Sequence, residues 1–125
     1  DAPAAPRDRG GDVEPLAADA QLILSLIAHA TRGDSAASFD AGLKELGLPL
    51  TLLAASAVSL DAVKAALARL NQLAPMQKPR LVKALVQCAL ADGTLSVTDA
   101  ELLRAICSTL DSPLPPFLEA MPYAA

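Results

Sequence analysis

The sequence predicts an all-α fold, a bundle of about five helices that ends in a helical hairpin. Three observations carry this. Apolar residues make up 53% of the 125 residues but aromatics only 2%, and Ala and Leu supply most of the apolar share while Val and Ile are few, a mix that favours helix over strand. Apolar positions step by three and four along each periodic segment, the spacing of a single helix face. Every break between segments is Gly, Pro or a capping residue. The length sizes one domain with a single modest core. Residues 1–12, rich in Ala, Pro, Gly and charge without periodicity, read as a flexible linker, and residues 13–125 as one all-helical domain.

The first helix is expected from about Pro15 to Arg32. Pro15 suits a first turn, and Leu16, Ile23 and Ile27 form one stripe beside a second from Leu22 and Leu26, so this helix is wide-faced and central. Gly33 ends it. Asp34 or Ser35 can cap the second helix, whose Ala36, Phe39, Leu43 and Leu46 precede a Gly47 stop and a Pro49 block. Thr51 to Val58 is short and apolar and reads as a helical turn or two packed as a plug. Ser59 then caps a third helix, in which Leu60, Val63, Leu67 and Leu70 repeat up to Pro75. Leu81, Leu85 and Cys88 mark a fourth helix with Pro79 in its first turn, and Gly93 stops it. The fifth runs from about Ser96 to Leu110, with Leu102, Leu103, Ile106 and Leu110 inward, before a proline-stiffened "DSPLPPF".

The most informative local text is "ALADGTLSVTDAELLRAI", Ala89 to Ile106. It reads as helix, tight turn, helix. Gly93 can take the left-handed conformation that closes the fourth helix, Leu95 can sit as the apolar residue before the cap, and Ser96 with Asp99 supplies a capping pair. Thr98 with Glu101 offers a competing frame. The acidic turn invites a calcium reading through Asp92, Asp99 and Glu101, but it lacks the alternating oxygen ligands of an EF-hand loop. Asp92, Gly93, Leu95, Ser96, Asp99 and Glu101 are therefore assigned to a structural turn, with no metal ligand among them.

Charge is unevenly placed around a net of −4. Lys64, Arg69, Lys78, Arg80 and Lys83 form a basic island between two acidic stretches and are expected to pair with acidic neighbours of the same domain. A pI near 4.8 and the lack of aromatics to stack bases oppose nucleic acid as a partner. Mean hydropathy is high at +0.38, yet the longest uncharged stretch, Leu46 to Leu60, is interrupted by Gly47 and Pro49 and is too short to span a bilayer. The chain opens on Asp1 with no basic-then-apolar leader, and the expectation is a segment of a longer polypeptide.

Catalytic chemistry has little to work with. His29 is the only histidine, so no imidazole pair or His-rich zinc site can form, and it reads as a partly buried or surface helix residue. Cys88 and Cys107 lie about 6 Å and about 16 Å from the hairpin turn at roughly 1.5 Å per helical residue, too uneven for a bridge within the hairpin. Both are expected as free buried thiols, consistent with a reducing compartment. No catalytic residue and no cofactor is expected.

"ADG", an aliphatic, Ser, an acidic residue three further on and "AELLRAI" together resemble the signature hairpin of tellurite-resistance TerB-like helical domains. The longer run from "LNQLAPMQKPRLVKAL" through "DSPLPPF" is similar to the segment that follows the catalytic unit in bacterial membrane-bound HtpX-type zinc metallopeptidases. Asp92, Gly93, Leu95, Ser96, Glu101, Leu102, Leu103, Arg104, Pro113, Pro115 and Pro116 match that pattern, and Asp99 stands where glutamate is usual. The resemblance covers the last half of the chain well, and residues before Ser59 only in helical character. It implies a non-catalytic accessory domain at the C-terminus of such a peptidase, serving interaction or regulation, on the cytoplasmic side of the bacterial inner membrane. The implied partner is the parent peptidase domain, another protein or a second copy. The H-E-x-x-H of the peptidase itself is absent from the chain. The alternative is an independent TerB-like stress-response module that binds a metal or small ligand at its acidic turn. A hydrolase reading lacks a base and a nucleophile.

Overall fold

A computed structural model describes residues 16–31, 34–73, 76–91, 93, 95–112 and 123–124. The expectations placed on the 1–12 linker, Pro15, Arg32, Gly33, Pro75, Asp92 and the prolines of residues 113–117 lie outside them. Five helices account for most of the rest: α1 (Ala17–Ala30), α2 (Ser35–Leu46), α3 (Leu60–Leu70), α4 (Lys78–Ala89) and α5 (Val97–Thr109). The class is all-α, as the composition predicts.

Helix α1 is the hub. It buries Ala20, Leu22, Ile23, Leu24, Ile27 and Ala28, which spread over most of its circumference, and it touches each of the other four helices. That is the packing a double apolar stripe demands. Asp19 in its first turn is held by Arg69 of α3, whose Nε lies 2.9 Å from both carboxylate oxygens and whose terminal nitrogen lies 2.7 Å from one of them. Asp19 in turn raises the Arg69 pKa, by hydrogen bonding first and charge second. This fork ties the start of the bundle to its middle.

Helix α2 packs most closely against α4. Asp34, not Ser35, caps it, accepting the Ala36 N–H at 3.0 Å. Gly47, left-handed at φ 68°, ends it by returning its N–H to the Leu43 carbonyl at 2.9 Å. Gly42 faces inward: a Cβ there would lie 2.6 Å from the Ala84 carbonyl oxygen and 2.7 Å from Leu24 Cδ1. Only glycine permits that approach.

Three expectations need correction, the third being the end of α3. The plug expected as helical turns over Thr51–Val58 contains only a 3-10 turn at Ala55–Ala57; in the residues before it, backbone groups bind α1 side chains instead of one another, so no helical ladder forms. The expectation of helices alone also missed a small parallel pairing of β1 (Leu95–Ser96) with β2 (Tyr123–Ala124). Two residues a side leave the all-α class unchanged, and their partner lies too far along the chain for local periodicity to announce it.

Helix α3 starts at its expected cap, with the Ala62 N–H donating to Ser59 Oγ at 3.2 Å, but it stops at Leu70 rather than running on to Pro75. Pro79 sits in the first turn of α4. The core is continuous, with Phe39, Leu46, Leu70, Leu81, Leu85, Leu95, Leu103, Ile106 and Leu110 essentially inaccessible. Helix α5 ends in a Schellman turn: Ser112 N–H donates to Cys107 O at 3.0 Å and Asp111 N–H to Ser108 O at 3.2 Å, with Asp111 at φ 56° where glycine is usual.

Candidate functional site

The turn between α4 and α5 is built from local chemistry. Gly93 adopts φ 92°, which a side chain would oppose, and its N–H donates to Leu90 O at 2.8 Å. Leu95 then drops into the core, and Ser96 accepts the Asp99 N–H at 2.9 Å, capping α5. Thr98 falls inside the helix, so the competing frame with Glu101 is not used. Asp92 lies outside the described residues. Of the acids considered for a cation, Asp99 is fully buried and Glu101 is exposed. Two residues apart on a helix, they face different directions and cannot converge on one ion. Among the described residues no group of three His, Cys, Asp or Glu could hold a metal.

The cysteines are free and buried. Burial, with the nearby Asp99 charge adding to it, pushes the Cys88 thiol up to about 12, and its Sγ lies 3.7 Å from Leu24 O. Burial also raises Cys107, which lines a shallow pocket at the end of α5 with Ser108, Asp111 and Ser112. A thiol held protonated is a poor nucleophile.

The basic island is largely consumed by the domain itself. Arg69 holds Asp19, Lys78 donates to Asn71 Oδ1 at 2.9 Å, Lys83 lies 3.5 Å from Glu45, and Arg80 donates to Leu46 O at the C-terminus of α2. The last contact places a cation where the helix dipole favours one. Lys64 is exposed.

One constellation escaped sequence reasoning. Gln21, Ser25 and His29 follow one another at four-residue steps along α1, and all three bind the backbone of the strap between α2 and α3. Gln21 Nε2 donates to Thr51 O at 2.7 Å, Ser25 Oγ accepts the Leu53 N–H at 3.0 Å, and His29 Nε2 lies 2.7 Å from Leu53 O. A carbonyl only accepts, so His29 Nε2 carries the proton and is committed to this bond. The i, i+4, i+8 polar row was visible in the sequence, but its target lies 24 to 30 residues away.

A helical bundle whose last two helices meet in a glycine-closed, serine-capped turn is the class of domain these features define. The chain belongs to the TerB family: residues 25–114 match the family model described as tellurite resistance protein TerB. The match reaches back through α2 into α1, well beyond the half of the chain in which the hairpin resemblance is specific. No curated protein and no solved structure gives a significant match. Among the described residues, no helix is long and apolar enough to cross a membrane.

Proposed function

We propose that this TerB domain is a non-catalytic interaction or regulatory module at the C-terminus of a bacterial membrane-anchored zinc metallopeptidase, on its cytoplasmic side. The observation that carries the reading is the run from Leu70 through residue 117, similar to the segment that follows the catalytic unit in HtpX-type peptidases. The chemistry of the described residues supports it: the single imidazole is tied to a backbone carbonyl and both thiols are held protonated. The domain's work is then done by its surface. Two experiments test this. Reading the encoding frame upstream should reveal an H-E-x-x-H helix between membrane spans, and the domain should be retained by the immobilised catalytic unit. An upstream frame without that motif overturns the proposal.

The second reading, an independent TerB module with a cation at its acidic turn, draws on the family match itself. It requires calcium or magnesium to raise the melting temperature, by mass action on the folded state, and the rise to vanish in Asp92→Asn. The capping geometry of Ser96 and Asp99 leads us to expect no shift.

A further inference from the structure

We infer that the Gln21, Ser25 and His29 row of α1 is a site that reads the main chain of an extended apolar peptide segment, filled in this structure by the protein's own strap. A partner protein's segment would take the strap's place. The inference rests on the reading of the domain as an interaction module and adds where and how the partner engages.

The contacts are directed at backbone, so they suit any sequence able to lie there. The groups bound are Thr51 C=O, Leu53 N–H and Leu53 C=O, which share one edge of an extended chain. The row is longer than its target: the eight residues from Gln21 to His29 advance about 12 Å along the helix, while Thr51 to Leu53 advance about 6.6 Å, so the outer two side chains converge on the strap. The helix thus presents donor, acceptor and donor in the order in which one edge of the strap presents acceptor, donor and acceptor.

The strap is lightly buried. None of residues 48–59 is fully buried, and Leu48, Leu50, Leu52, Leu53 and Val58 only half-cover the core beneath them. The flanking helices do not need it, since Gly47 and Ser59 close and cap them independently. It is also longer than the roughly two to eight residues that usually join helices in bundles. Segments with so little burial open at lower free energy than the core. The fitting partner has leucine-like side chains and a free N–H at the position equivalent to Leu53, because Ser25 Oγ must accept it. Proline is excluded there.

The test uses the 125-residue chain and a synthetic peptide of residues 48–56. In the wild type, hydrogen exchange at the Leu53 amide should run at least tenfold faster than at Leu103. In Leu53→Pro, which removes the N–H held by Ser25, added peptide should shift the His29 ring resonances. It should bind at least tenfold tighter than to the wild type, whose site is occupied. A peptide carrying proline at position 53 should not bind. Leu53 exchanging only with global unfolding, or the proline peptide binding equally well, would overturn the inference. The exchange measurement decides even if Leu53→Pro fails to fold. The peptide assay contains no peptidase, so its failure refutes the strap site alone, and retention on the catalytic unit stands or falls by its own measurement.

Discussion

Cys88 shows what burial does to a single group. Its thiol sits against the Leu24 carbonyl with the Asp99 charge nearby, and its pKa rises from 9.0 to about 12. The unfolded chain therefore gives up this proton about three pH units before the folded one does. The associated stability is fully present below pH 9 and is lost as pH climbs toward 12. Denaturant unfolding between pH 9 and pH 11 should show stability falling less steeply in Cys88→Ala than in the wild type; parallel slopes would mean that the thiol does not titrate this way. His29 is a contrasting case, a polar residue whose bond to Leu53 O assigns it a structural task and leaves it no metal to hold.

Individual helices owe their ends to residues read directly from the sequence. Ser59 and Ser96 both cap, but Ser59 is exposed and Ser96 is buried beside the core. Replacing a capping serine with alanine costs about 0.5–2 kcal/mol. Ser59→Ala should fall at the low end and Ser96→Ala at the high end, because water can replace the lost bond only at the exposed site. Gly93→Val should cost more than either, since a β-branched side chain is strained at φ 92°. Equilibrium denaturation of the three variants checks the order. These ends were legible because a cap or a glycine stop involves neighbours within four residues. The strap, the Schellman turn at Asp111 and the pairing of Leu95 with Tyr123 were not. Each depends on a partner far along the chain, or on a conformation that Asp111 adopts against its preference. In the turn, the left-handed Gly93, the buried Leu95 and the Ser96 cap each rest on neighbours within a few residues, while the Gln21, Ser25 and His29 row had no meaning until the strap lay across it.

At the scale of the whole molecule, Gly42 marks where α2 comes against the Ala84 carbonyl of α4. Alanine there gains helix propensity of about 1 kcal/mol but forces a methyl against the Ala84 carbonyl and Leu24, and overpacking costs about 1–3 kcal/mol. Gly42→Ala should therefore lower the melting temperature, and a rise would show that the helices separate freely. The same contact has a geometric side. A Cβ at Gly42 would meet Ala84 O, Leu24 Cδ1 and Cys88 Cβ within 3.0 Å, so α2 has no room to move closer to α4 at this point. The separation of the second and fourth helices is thus set at this point by the absence of a single methyl group.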